Sequence, residues 1–288
     1  MLKKISYIIY LFLRFLDNIL KFIFKKSFLF WFKEFLEKDS YQSIVILNKH
    51  INFFIPNQLT QWRIKSFFEK EPETLEWIDT FDNTKKFIFW DIGANIGIYS
   101  IYAALKHSNC EIISFEPSTS NLRTLSRNIS INNLEDKIKI FTNPLSNNSN
   151  KFLQMKEENF IEGGALNSFG EDYNFEGKKF KSGMKYQLLG KSINSILDDK
   201  MLEEPNHIKI DVDGIEHLIL EGGNKYLKNE NLISLSVEIN ENFVEQYEGV
   251  LKIMKDNNFN ILHKKNNKEV KKNISNKHSN TYNYIFVR

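Results

Sequence analysis

Asp91, Gly93, Asn95 and Gly97 stand in the stretch WDIGANIGIYS, where a short apolar run gives way to a helical pattern. Glycines at such a turn let a ligand approach the backbone, and the free N–H groups of a helix start attract anionic atoms. Glu116 ends the next apolar run, nineteen residues after Gly97. A carboxylate there can accept both hydroxyls of a ribose. These residues suit a ligand containing adenosine, either a nicotinamide dinucleotide or S-adenosylmethionine. Asp91 separates the two, because a carboxylate at the turn repels a pyrophosphate and attracts the cationic amino group of the methyl donor. The spacing is also G-x-N-x-G rather than G-x-G-x-x-G. The expected donor site comprises Asp91, Gly93, Asn95, Gly97 and Glu116, with Asn143 just past the third apolar run. Asn95 also suits an N-cap of the following helix, and Gly93 and Gly97 suit a tight turn.

A second polar group follows in IKIDVDGIEH and SVEIN. Asp211 and Glu238 end apolar runs, so either carboxylate can receive a proton from an attacking hydroxyl. Asp213 and Glu216 have the Asp-x-x-Glu spacing of a helix capping pair. Asp211, Glu238 and Asn240 together offer oxygen ligands for Mg²⁺, an alternative to the proton-transfer reading; no residue is assigned to a metal. His107, His207 and His217 have no zinc-ligand spacing, and no nucleophile-elbow pattern supports hydrolase chemistry.

Elements must bring these residues together. FIFWD (87–91), EIISFE (111–116), KIKIF (137–141), HIKID (207–211) and LISLSVE (232–238) read as buried strands. Residues 97–107, 118–132, 214–228 and 241–257 read as helices, and residues 260–264 and 282–287 as two final strands. This alternation predicts a doubly wound, mostly parallel sheet. Two short helices are expected around Pro72. Residues 143–191 form an insertion too long for a simple crossover, with Gly163, Gly164 and Ala165 at its centre, and are read as shaping the acceptor site. The last connection carries Lys264, Lys265, Lys268, Lys271, Lys272 and Lys277.

The first 36 residues differ from the rest. They hold seven basic side chains against Asp17 and Glu34, together with eleven aromatic residues. Residues 3–25, wound as a helix, place Lys3, Arg14, Asp17, Lys21 and Lys25 on one stripe and apolar residues elsewhere. The longest uncharged run, Ile5 to Leu13, is well short of the ~20 residues that span a bilayer. Arg14 and Asp17 interrupt the apolar region, and the first alanine is Ala94, which argues against a cleaved signal. Three roles remain for this helix: lying in an anionic membrane interface, pairing in a homo-oligomer, or packing on its own domain. The remaining 252 residues carry a net charge of −2, against +3 for the 288-residue chain, so a basic nucleic-acid partner is not expected. One cysteine, Cys110, excludes an intrachain disulfide or cysteine-based metal centre and fits a reducing cytoplasmic compartment, including the inner face of its membrane.

DIGANIG, FEPSTSNLRTLSRNISIN and IKIDVDGIEHLILEGG resemble the FkbM-type methyltransferases of the class I S-adenosylmethionine-dependent fold. The resemblance runs from about Phe87 to Phe259 and includes GALNS and SINSILDD. It implies a Rossmann-like seven-stranded sheet whose last strand is antiparallel, and methyl transfer to an oxygen of a sugar, polyketide or similar acceptor. Asp213 stands where that family has glutamate, and Ser192, Ile193 and Asn194 stand where it has Thr-Leu-Asp. The division expected is a helical extension over 1–60 and a methyltransferase domain over 61–288, with a helical lead-in at 61–84. The alternatives are an RNA or protein methyltransferase and a membrane-tethered binding protein without catalysis.

Overall fold

The computed structural model describes residues 1–180, 183–265 and 280–288, so Lys268, Lys271, Lys272 and Lys277 of the basic connection lie outside the described residues. Two helices open the chain, α1 (Leu2–Phe24) and α2 (Leu29–Lys38), followed by β1 (Tyr41–Ile46) and β2 (Lys49–Phe54). Within the expected helical extension over 1–60, residues 41–54 form a hairpin instead of helix. Leu47 and Asn48, both at positive φ, close a two-residue hairpin turn between β1 and β2. Ile46, Ile51 and Phe53 on the hairpin pack into the same core as Leu125 and Ile129.

The lead-in is α3 (Gln58–Lys65) and α4 (Pro72–Asp79), with Pro72 starting α4, where its missing N–H breaks no helical bond. Next come β3 (Phe87–Ile92), α5 (Ile98–Lys106), β4 (Cys110–Phe115), α6 (Thr119–Ser130) and β5 (Ile138–Phe141). The insertion folds into a small antiparallel sheet of β6 (Lys151–Glu157), β7 (Ser168–Phe169) and β8 (Met184–Gly190). The chain then runs through α7 (Ile193–Asp198), β9 (His207–Ile210), α8 (Glu216–Glu221), β10 (Ser234–Asn240), α9 (Val244–Asp256), β11 (Asn260–Lys265) and β12 (Thr281–Val287). α8 is shorter than the helix expected over 214–228, and turns occupy the residues after Gly222.

The seven-stranded sheet has the order β11-β12-β10-β9-β3-β4-β5, with β12 antiparallel to both its neighbours and the other pairings parallel. Trp90, Ile210, Val237 and Phe286 pack on one face with residues of α7, α8, α9 and the small sheet. Phe89, Ile112 and Ile285 pack on the other with α3, α4, α5, α6 and the hairpin. This is the doubly wound, class I arrangement expected. Cys110 starts β4 and is buried, and burial pushes its thiol pKa up.

Candidate functional site

Register places the sequence-distant polar residues side by side. Ile210 pairs with Ile92 on one flank and Val237 on the other, so Gly93, Asp211 and Glu238 follow in a row at the carboxyl ends of β3, β9 and β10. That rim is where ligands bind in open α/β sheets. Two residues below it, Asp91 and Ser236 each pair with Lys209, and Ser114 with Asp91, all from the α5 side of the sheet.

Asp91 is fully buried, and its Oδ2 accepts from Ser100 Oγ at 2.6 Å while Oδ1 has no partner. Burial raises its pKa, with the Asp211 charge adding to the effect against Lys209 and Ser100. Gly93 has φ +86°, and a Cβ there would lie 1.9 Å from the Asp211 carbonyl oxygen. Only glycine lets β3 turn this close to β9. Gly97, at φ +88°, caps α5 and lies against Leu125. Asn95 therefore does not cap the helix. Its amide Nδ2 donates to Gly164 O at 2.7 Å, and its Oδ1 is buried without a partner. Glu116 is buried and accepts from Asn95 N at 2.7 Å and Ser118 N at 2.8 Å. Burial nonetheless pushes its pKa up to about 8. Asn143, just past β5, points its amide at Leu189 O, 2.9 Å away, and so ties the start of the insertion to β8.

Asp211 accepts a 2.8 Å bond from Lys209, whose side chain is only 2% exposed. Lys209 lies among Asp211, Asp91 and Glu71, which together outweigh the cost of its burial and raise its pKa. Glu71, buried at the start of α4, is also paired with Lys70 and hydrogen-bonded to Tyr99. Burial opposes its charge, yet Lys70 and Lys209 hold its carboxyl well below the usual range. The sequence reading missed this ionic cluster. One signal existed: a lysine inside the otherwise apolar HIKID run must have acidic partners when buried. Glu71 carries no comparable local mark.

The segment 162–167 crosses the rim as a strap. Asn121 Oδ1 accepts from Gly163 N at 2.9 Å, Arg63 Nε donates to Gly163 O at 2.7 Å, and Arg123 pairs with Glu162 at 2.8 Å. At the far end Asp213, at φ +66°, accepts from Leu166 N at 2.6 Å and Asn167 N at 3.2 Å. Desolvation and the nearby Asp211 raise the Asp213 pKa to about 6. The expected Asp213–Glu216 capping pair is thus not formed: Asp213 holds the strap. Glu216 alone accepts from Val212 N at 3.0 Å and Gly214 N at 3.1 Å. The Mg²⁺ trio is not assembled either. Asn240 Nδ2 donates to Phe175 O and its Oδ1 accepts from Asn242 N, each at 3.0 Å, while Asp211 is paired with Lys209. Glu238 remains in the rim row beside Asp211, its own backbone carbonyl accepting from Gln246. His207 is stacked on Phe81 and bonded to Ser234, a core role rather than a ligand's.

The methyl donor implied by the sequence fits this arrangement, because Asp91 Oδ1 and Asn95 Oδ1 are buried acceptors without partners at the glycine turn. A cationic amine supplies the donor that a buried carboxylate oxygen otherwise lacks. The chain is 28% identical over 153 residues to Methyltransferase sdnD of Sordaria araneosa, a match covering 46% of this chain and 58% of that protein. The chain thus spans a little over half the length of that relative. Among solved structures it resembles precorrin-6y C5,15-methyltransferase from Geobacter metallireducens, with a TM-score of 0.43 and 13% identity over 76% of this chain and 86% of that one. The Methanococcus jannaschii fibrillarin pre-rRNA processing protein gives a TM-score of 0.46 and 11% identity, covering 85% of this chain and 81% of the other. The sequence profile of the Methyltransferase FkbM domain matches residues 91–261, from Asp91 at the end of β3 through β10, α9 and the start of β11. With more than half of its length matched, the chain belongs to the FkbM methyltransferase family.

Proposed function

We propose that this protein transfers a methyl group from S-adenosylmethionine to a hydroxyl oxygen of a sugar, glycan or other small acceptor, working from the cytoplasm at the inner face of the membrane. Residues 61–288, with the hairpin packed on them, are the catalytic unit in this reading. The observation that carries it is the pair of partnerless buried oxygens, Asp91 Oδ1 and Asn95 Oδ1, beside Glu116 at the glycine turn. When bound, S-adenosylmethionine supplies a methyl group already activated on a sulfonium. The chain's task is then positioning, exclusion of water and acceptance of one proton. Asp91 Oδ1 holds the donor's cationic amine. Glu116, held by Asn95 N and Ser118 N, faces the ribose hydroxyls in this reading. Asp211, or Glu238 beside it, takes the acceptor's proton. Lys209, bonded to Asp211 at 2.8 Å, fixes the direction of that side chain. The strap closes the rim to water.

Thermal unfolding tests the donor site. A ligand at a hundred times its Kd adds about 2.7 kcal/mol, or several degrees in Tm. S-adenosylmethionine should produce this shift and NADH should not. Asp91→Asn, which keeps the shape, should remove most of it. A shift with NADH alone overturns the assignment. With labelled donor, label should enter a glycan or small-molecule fraction; label confined to RNA or protein overturns the acceptor reading.

A further inference from the structure

Of the thirty-two exposed large apolar side chains among the described residues, twenty lie in the first 36. On α1, Ile8, Phe12, Phe15, Phe22 and Ile23 are each more than 60% exposed, and on α2 Phe30 and Trp31 are 77% and 58% exposed. The largest apolar patch on a typical monomer is about 300–600 Å². On this chain the exposed apolar side chains are concentrated on these two helices.

The two helices are not loosely joined. Asp17, the buried residue of α1, accepts from Ser27 Oγ at 2.8 Å and from Phe28 N and Leu29 N at 2.8 and 3.3 Å. It thereby satisfies free N–H groups at the start of α2 and sets the corner between the helices. At its other end α2 is fixed to the catalytic unit, since Glu37 pairs with Arg123 and Arg127 of α6, each at 2.6 Å.

Charge selects the occupant. Of the three acids on the two helices, Asp17 is enclosed in the corner, Glu34 is paired with Lys38 at 3.5 Å, and Glu37 is taken up by Arg123 and Arg127. What α1 and the corner present to solvent is cationic: Lys3, Lys4, Arg14, Lys21, Lys25 and Lys26. Two copies face to face would set like charges together, whereas anionic headgroups complement them. No described helix is long and apolar enough to cross a membrane. We propose that α1 and α2 form a bent interfacial anchor that lies in the surface of an anionic bilayer. The Glu37–Arg123 and Glu37–Arg127 pairs then set the catalytic rim at a fixed attitude to it. This inference rests on the methyltransferase reading only for what the rim does there, and vesicle binding tests it separately from donor binding.

The full chain should sediment with vesicles containing phosphatidylserine at low salt, and much less with pure phosphatidylcholine. Each basic residue removed should weaken partition about fivefold. Lys21→Ala/Lys25→Ala should therefore weaken it about twentyfold to thirtyfold, and Phe12→Ser/Phe15→Ser should abolish it, both with the thermal shift by S-adenosylmethionine unchanged. These positions are exposed, so the variants fold as the parent does. Failure of the full chain to bind anionic vesicles, or a concentration-dependent dimer broken by Phe12→Ser/Phe15→Ser in a protein that ignores vesicles, overturns the anchor.

Discussion

Asp211 and Asp213 carry the same group two residues apart, yet their surroundings divide them. Asp211 stands on the rim with Lys209 at 2.8 Å, while Asp213 Oδ2 holds two strap N–H groups. Asp211→Asn should lower kcat by about 10²–10⁴, the usual contribution of a positioned base, and leave donor binding intact. Asp213→Ala removes the acceptor for two buried-side N–H bonds, each charge-assisted and worth about 1.5–3 kcal/mol. Its effect should show as faster hydrogen exchange over 162–168 and a raised KM. If Asp213→Ala matches Asp211→Asn in kcat at saturating acceptor and leaves exchange unchanged, the division fails. The rim residues were legible because each ends an apolar run. The work of Asp213 was not, because its partners lie 46 and 47 residues away in sequence.

Among the elements, the strap is held by several modest ties. Arg123 serves one of them, pairing with Glu162 on the strap, and also pairs with Glu37 on α2; its side chain is 39% exposed. Exposed pairs of this kind contribute about 0.2–1 kcal/mol each. Arg123→Ala should therefore lower Tm by no more than a few degrees, while raising the dissociation rate of S-adenosylmethionine about tenfold and opening 162–167 to proteolysis. An unchanged dissociation rate would show that the strap does not close over the donor. The strands of the large sheet could be read from their continuous apolar runs. The hairpin and the small sheet could not: β8 alternates lysine, tyrosine and glutamine at its exposed start, and β7 has only Ser168 and Phe169. Such elements exist because the large sheet gives Phe53, Met155 and Phe169 a surface to cover.

Across the whole molecule, buried acids and buried histidines act in opposite directions on stability. Burial raises the pKa of Glu116 to about 8, Glu216 to about 7 and Asp213 to about 6. As pH falls from 8 to 6.5 the folded chain takes up protons that the unfolded chain does not, so stability rises. Burial also lowers His107 and His217, and brings His207 down to about 3. Below about 6.5 the unfolded histidines bind protons that the folded ones refuse, and stability falls. Tm without ligand should pass through a maximum near pH 6 to 7; a monotonic rise to pH 8 in scanning calorimetry would contradict this balance. The lone Cys110 has a practical consequence. It is 9% exposed, with a thiol pKa raised by burial, so almost none of it is the reactive thiolate at neutral pH. A maleimide dye or nitroxide applied to Phe12→Cys would label one position in otherwise unaltered protein, and its spectrum would report the depth of that position in lipid without a cysteine-free background.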